Sequence, residues 1–306
     1  MSRFADFASL SSENLGEEPC DREQILERCN DLIEQNKSRS CLKLSDLFLE
    51  KCGDYDELHR YRNAAARKLS EWGIAMDSAN KLVERYPVNA DMFWIRGNTL
   101  EDKGDVEAAA KDYEQAHALM PRGVQPPFHL ANIYQRLGRP CDGITPLETF
   151  SFYHPDNSEN AARLLDQLYR NAQCSNLQGS GKAKIRIKEG GNAIAAEATV
   201  NNSMTGRFLI DTGASTVVLS RSFADQAGVA YQDWPTHKAQ TANGVSEGHY
   251  GYIDDVILQG VEAKHIATMV VSDMGNVDGL LGLSFLGRFK IRMNAEKGYI
   301  TLTQRR

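Results

Sequence analysis

Pro87, Pro121 and Pro155 stand 34 residues apart, twice over. No other feature restricts the fold so strongly, because a fixed period of that length means one supersecondary unit, repeated and stacked. Counting back from each proline, small residues recur as Asn63, Gly97 and Ala131 in one column and as Ala75, Ala109 and Gly143 in another. Ala66, Leu100 and Tyr134 form a third column, and Ala79, Tyr113 and Leu147 a fourth. Small residues let two helices of a unit approach closely, and larger ones fill the space between units. Proline has no amide hydrogen to donate, so it ends the second helix of each pair. Gly104 and Gly138 mark the turn inside a pair. In the third unit Pro146 falls within the second helix. There "TPLE" reads as a Thr145 cap, Pro146 in the first turn and Glu148 closing a capping box, so that helix is expected to start late.

The pattern is clearest at Phe93-Trp94 and "GNTLEDKGDVEAA", and it resembles the tetratricopeptide repeat, two helices in 34 residues. "NSENAARLLDQLYRN" then reads as a terminal helix that solvates the end of the stack. "REQILERCNDLIEQN" and "SCLKLSDLFLEKCG", joined by "KSRS", sit in register as a degenerate first unit. The resemblance implies a protein or peptide partner bound along the helical repeats. The alternative is that the stack only positions its neighbour.

Six cysteines, Cys20, Cys29, Cys41, Cys52, Cys141 and Cys174, all precede the last third of the chain. Their spacing lacks the close pairs that zinc prefers. Cys20 with Cys52 and Cys29 with Cys41 share nearly the same midpoint, and residues equidistant from the turn of a helical hairpin face each other. Nested disulfides would staple that hairpin; buried free thiols are the other reading. Disulfides imply an oxidising compartment, periplasmic or otherwise extracytoplasmic, and free thiols a cytoplasmic one. The first twenty residues have neither the basic start nor the apolar core of a secretory signal.

After "NAQCSNLQGSGKAK" the texture changes. From Ile185 on, β-type runs dominate: "IRIK", "AIAAEATVN", "GRFLID", "TVVLS", "GYIDDVIL", "HIATMVVS", "FKIRMN" and "GYITLT". Only "SRSFADQAGV" and "SFLGRF" read as short helices. So many short strands suggest a small closed or sandwiched β domain. Within it, Asp211-Thr212-Gly213-Ala214-Ser215 follows an apolar strand and precedes another. Asp278-Gly279-Leu280-Leu281-Gly282 supplies a second apolar pair, followed by glycine and a short helix. Between them "AQTANGVSEGHYGY" reads as a hairpin with Asn243-Gly244 as its two-residue turn.

These three elements, in this order, resemble the retropepsin-like aspartic proteases over roughly residues 183 to 304. The resemblance implies an aspartic endopeptidase that needs no metal or organic cofactor and acts on peptide or protein substrate. Two carboxylates close together cannot both ionise; one takes a proton from water while the other gives one to the carbonyl oxygen. No second Asp-Thr-Gly or Asp-Ser-Gly is present. An enzyme would then be a homodimer, with a two-fold axis between two Asp211 side chains. Thr212 is expected to brace the pair, Gly213 to turn the backbone beneath the carboxylate, and Ser215 to orient its outer oxygen. Residues 238 to 252 would be a flap over substrate, with Thr241, Ala242, Asn243, Gly244 and Val245 at its tip. Leu280, Leu281 and Gly282 would line the site from below. The end strand is expected to join a dimer sheet. Asp254 and Asp255 read as turn or surface charges, and His249 and His265 as surface or core residues. Tyr231 and Trp234 would lie before the flap, at a substrate pocket.

A formal charge of −6 argues against nucleic acid as a partner. No apolar run reaches the ~18 residues of a membrane helix. The expected organisation is therefore a tail over residues 1–21, an all-α tetratricopeptide-like repeat domain over 22–172, a linker over 173–182 and an all-β retropepsin-like domain over 183–306. The rival function is a non-catalytic scaffold that keeps the β domain for dimerisation or peptide binding.

Overall fold

A computed structural model describes residues 20–187, 194–241, 244–272, 274–294 and 296–305. The chain divides into two compact units between Asp112 and Tyr113.

The first unit is helical. It contains α1 (Arg22–Glu34), α2 (Ser38–Cys52), α3 (Asp56–Lys68), α4 (Trp72–Arg85), α5 (Ala90–Lys103) and the start of α6 (Val106–Leu119). Asp21 caps α1, its carboxylate accepting from the Glu23 and Gln24 amides at 3.0 Å. The repeat is written most plainly in its turns. Asn36, Ser70, Gly104 and Gly138 lie 34 residues apart and all have positive φ, at 58°, 58°, 94° and 71°. The residue after each donates back to a carbonyl five residues earlier: Lys37 to Leu32, Glu71 to Ala66, Asp105 to Leu100 and Arg139 to Tyr134. These are left-handed helix ends that use up the last carbonyls. The Cys-rich hairpin is thus an in-register unit. The small-residue columns are buried, and the Asn63 amide donates to the Ala75 carbonyl and to Thr99 Oγ1, both at 2.8 Å.

Cys20 is bonded to Cys52, and Cys141 to Cys174. Cys29 and Cys41 are buried free thiols, contrary to the expected inner pairing. Their close-contact positions bring them together, but the Cys29 sulfur finds Ser45 Oγ at 3.3 Å and the Cys41 carbonyl at 3.6 Å. Hydrogen bonding within the hairpin replaces the bond. The two disulfides close loops with separations of 32 and 33 residues, each contributing about 3–4 kcal/mol in the chain-entropy account. Alkylation of the unfolded protein without reductant is expected to label two of the six thiols, and six after reduction. Six labels before reduction would refute the bonded pairs.

The second unit joins helices to a sheet. Its helices are the end of α6, then α7 (Gln125–Arg136), α8 (Ile144–Tyr153) and α9 (Glu159–Arg170). α8 does start late, behind a 3₁₀ turn at Pro140–Gly143, with Pro146 in its first turn. Thr145 and Glu148 do not cap it: the helix has no side-chain cap, and the Glu148 carboxylate is engaged elsewhere, as described below. Residues 173–182 are held rather than free. Cys174 is bonded, Leu177 is buried, and a strand already begins at Ser180.

The strands are β1 (Ser180–Arg186), β2 (Ile194–Val200), β3 (Met204–Ile210), β4 (Val217–Ser220), β5 (Thr236–Thr241), β6 (Gly244–Leu258), β7 (Val261–Val271), β8 (Gly279–Leu281), β9 (Phe289–Asn294) and β10 (Tyr299–Gln304). Short helices α10 (Arg221–Gln226) and α11 (Leu283–Leu286) interrupt them. The sheet order is β5-β6-β2-β3-β8-β4-β7-β1-β10-β9, and β6 also pairs with β7. That extra pairing closes six strands into a small barrel around Phe208, Val217, Leu219, Val256, Ile266 and Leu281.

Two expectations shift by register. In the β5–β6 hairpin Thr241 faces Gly244, so Gly244 belongs to the ladder and not to the expected two-residue turn. The ladder of β6 with β7 on its other edge, where His249 faces Val270, fixes this register. Ala242 and Asn243 lie outside the described residues. The end strand β10 runs between β1 and β9 of its own chain, with Ile185 facing Ile300 and Ile300 facing Met293. It has no free edge for a dimer sheet, because the β9–β10 hairpin already fills that place.

Candidate active site

Asp211 follows β3 directly. β3 lies parallel to β8, with Ile210 facing Leu281, and the Asp211 amide donates to the Leu281 carbonyl at 3.1 Å. The chain then turns: the Gly213 amide donates to Asp211 Oδ1 at 2.8 Å, and the Ala214 amide to the Asp211 carbonyl at 3.3 Å. An amide donor fixes the orientation of the carboxylate. Asp211 is half-buried, while Thr212 and Gly213 are exposed. The carboxylate thus sits at a surface but is held in one orientation.

The loop is clamped from beneath. The Leu283 and Ser284 amides donate to the Ala214 and Ser215 carbonyls at 2.8 and 3.0 Å. The buried Ser284 hydroxyl accepts from the Val217 amide and donates to the Ala267 carbonyl. Gly282 is required here, since a Cβ would lie 2.0 Å from the Thr216 carbonyl oxygen and 2.7 Å from that of Ala214. Leu281 and Gly282 are buried and Leu280 half-buried, so these residues support the loop more than they line a cleft.

The structure separates other expected site residues. Ser215 makes no hydrogen bond to Asp211 among the described residues; it faces a pocket shared with helical residues. Val245 is exposed beyond the β5–β6 turn. Tyr231 is a core residue, and Trp234 packs against the same core. Neither lines the pocket beside the Asp211 loop. His249 meets the Trp234 carbonyl at 3.1 Å, and Asp255 accepts from the Asn202 amide at a turn. His265 is tied to Asp142 at 2.6 Å.

Sequence reasoning missed what helices bring to this loop. The Tyr153 hydroxyl, at the end of α8, lies 3.4 Å from the Thr212 carbonyl and 3.5 Å from that of Gly213. The Arg122 guanidinium stacks on the Tyr153 ring at 5.0 Å. On the edge strand β5, Gln115 of α6 pairs with Lys238 through both its amide groups, at 2.6 and 2.9 Å. A side chain there does what a neighbouring strand would do. The Tyr134 hydroxyl donates to Glu114 at 2.7 Å, and His237 approaches the same carboxylate at 3.8 Å. Burial pushes the pKa of His237 down to about 4. Below these, Arg288 and Glu148 form an ion pair at 3.1 Å with side chains 0% and 1% exposed. Tyr169 donates to the other Glu148 oxygen at 2.7 Å.

Residues 196–288 match the family model of the gag-polyprotein putative aspartyl protease. Among solved structures, a retropepsin-like aspartic protease from Rickettsia conorii is 29% identical, covering 40% of this chain and 89% of that one with a TM-score of 0.34. MamA from Desulfovibrio magneticus RS-1 is 14% identical, covering 45% of this chain and 78% of that one with a TM-score of 0.41. The first TPR domain of human RPAP3 is 22% identical, covering 37% and 90% with a TM-score of 0.35. No curated protein matches the chain. The family match spans Asp211, its clamp at Gly282 and most strands of the barrel, and the 34-residue turns define the helices before it. The chain is a helical repeat of 34-residue period followed by a β domain, of which residues 196–288 are similar to the gag-polyprotein putative aspartyl proteases.

Proposed function

We propose that this protein is an aspartic endopeptidase that hydrolyses peptide bonds with a water held between Asp211 and Asp211 of a second copy. The observation that carries this reading is the Asp211 carboxylate, oriented by the Gly213 amide at 2.8 Å on a loop clamped by the segment after β8. Among the described residues this carboxylate has no ion-pair partner, and its hydrogen bond is local to its own turn. Paired with a second one, it forms a site that shares one proton. One member accepts a proton from water as it attacks, and the other protonates the carbonyl oxygen. The β5–β6 hairpin closes over substrate and excludes bulk water. The helices recruit or regulate; Tyr153 on the carbonyls of Thr212 and Gly213 supports a direct influence on the loop.

The cysteine pairs Cys20–Cys52 and Cys141–Cys174 support an extracytoplasmic site of action. No helix among the described residues is long and apolar enough to cross a membrane.

Half a site per chain gives the test. Specific activity on denatured casein is expected to fall on dilution through the dimer dissociation range. Excess Asp211→Asn chains mixed with wild type are expected to poison it through mixed dimers. Full activity from a species that light scattering shows to be monomeric would overturn the reading.

A further inference from the structure

Strands β1, β10 and β9 bury one face of their sheet, where Ala183, Ile185, Ile300, Leu302 and Phe289 join the hydrophobic core. Period-two alternation puts the residues between them on the opposite face. The register fixes how these line up. Lys182 faces Thr303, which faces Lys290. Lys184 faces Thr301, which faces Arg292, and Arg186 faces Tyr299, which faces Asn294. All five basic side chains are exposed. Two files of cations thus flank an uncharged middle strand. Neighbours in a file are about 7 Å apart, and the files are about 10 Å apart.

No carboxylate stands on these three strands, although the chain has 41 acidic against 35 basic residues. None of the five bases has an ion-pair partner among the described residues. Lys184 instead lies over the Tyr299 ring at 4.0 Å, which keeps its charge. At one corner Glu262, opposite Ser180, is held by Lys264 at 3.4 Å. Glu296 lies in the turn between β9 and β10. Like charges this close sit within roughly one Debye length, ~8 Å at physiological salt, and repel one another. A face that needed only solubility would mix the two signs. Cations on an edge strand guard against stray pairing, which accounts for Lys290 and Arg292 on β9. It does not account for Lys182, Lys184 and Arg186, because β1 lies between β7 and β10.

The face therefore calls for an anionic partner. A second copy presenting the same face is repelled. A protein interface has an apolar core in which lysine is depleted. Here the middle of the face is Thr303, Thr301 and a tyrosine that Lys184 already covers. A nucleic-acid strand stacks its bases on aromatic platforms, and the same tyrosine is taken. A layer of anionic headgroups needs neither an apolar core nor a stacking platform. It needs a flat array of cations, and tyrosine is at home at headgroup level. The two disulfides fit a compartment bounded by membrane rather than one filled with nucleic acid. We propose that the solvent face of β1, β10 and β9 docks the protein peripherally on a bilayer surface rich in anionic phospholipid. This inference is independent of the peptidase reading, and Asp211→Asn should dock as wild type does.

The test is co-sedimentation of the full chain with vesicles of phosphatidylcholine, alone or with about a third phosphatidylglycerol, at low salt. The chain is expected to pellet with the anionic vesicles only. It should be released in ~1 M salt, where the Debye length shrinks to about 3 Å. Lys184→Gln with Arg292→Gln removes one charge from each file, and Lys182→Gln with Lys290→Gln does the same in the next row. At roughly fivefold per charge, either pair should weaken binding at least about tenfold. Arg163→Gln with Arg170→Gln removes two exposed charges from α9 and should leave binding unchanged. Circular dichroism melts check that each variant is folded. Absence from the anionic pellet, retention in ~1 M salt, or an equal response of the α9 variant and the sheet variants overturns the docking face. Fluorescence anisotropy with an oligothymidylate and with polyglutamate tests the other occupants. Binding to either polymer that the sheet variants abolish, with none to vesicles, gives the face to that polymer and overturns membrane docking.

Discussion

Replacing Asp211 with asparagine is expected to lower peptide hydrolysis about 10³-fold or more, within the range that general acid–base groups contribute. The argument is chemical rather than structural. Asparagine keeps the shape of the side chain, and its carbonyl oxygen can still accept from the Gly213 amide now 2.8 Å from Oδ1. It cannot take a proton from water. The clamp from Leu283 and Ser284 acts on backbone carbonyls and is untouched. Folding should therefore be preserved while turnover is lost. Wild-type activity should trace a bell on the acid side of neutrality, one limb for loss of the first proton from the pair and the other for loss of the shared proton. Cleavage of denatured casein across about pH 3 to 7, scored beside circular dichroism, checks both points. A correctly folded Asp211→Asn chain that cleaves at the wild-type rate would end the aspartic-protease interpretation.

The largest effect on stability is expected at Arg288 and Glu148. Both are fully buried, 3.1 Å apart, and each also touches Tyr169, which donates to Glu148 at 2.7 Å and accepts from Arg288 at 3.1 Å. Removing one charge strands the other in a medium where it cannot be hydrated. Glu148→Ala or Arg288→Ala should therefore destabilise the second unit by about 3–5 kcal/mol. Replacing both by apolar residues, as in Glu148→Leu with Arg288→Met, should cost much less, since a buried pair repays little more than its own desolvation. Urea unfolding followed by tryptophan fluorescence measures all three. Losses under about 1 kcal/mol in both single variants would mean that water reaches the pair.

The helical period, the strands and the Asp211 loop were legible because each depends on neighbours in sequence. A left-handed turn every 34 residues needs only the residues around Asn36, Ser70, Gly104 and Gly138. The link from Asp211 to Gly282 spans farther, yet both ends carry their own signature. What could not be read depends on partners with no local mark. Glu148 fits a capping box as well as it fits an ion pair, and nothing near it in the sequence points to Arg288. Tyr153 looks like one more aromatic of α8 until the fold sets it on the Thr212 carbonyl. Cys29 and Cys41 show the limit of symmetry arguments: equal distance from a turn predicts proximity, not a bond. Ser215 was given to Asp211 by its place in the motif, whereas packing turns it toward α6 and α8.

The position of β10 between β1 and β9 separates two events that are often fused. A strand borrowed from another copy would tie folding to assembly, and the melting temperature would rise with protein concentration. Here every rung of that ladder is closed within one chain. The β1–β10–β9 ladder is complete within one chain, so any association of copies would add to a finished fold. Under the proposed pairing of two Asp211 side chains, encounter rather than folding would set when they meet, and local concentration would become the control knob for their shared chemistry.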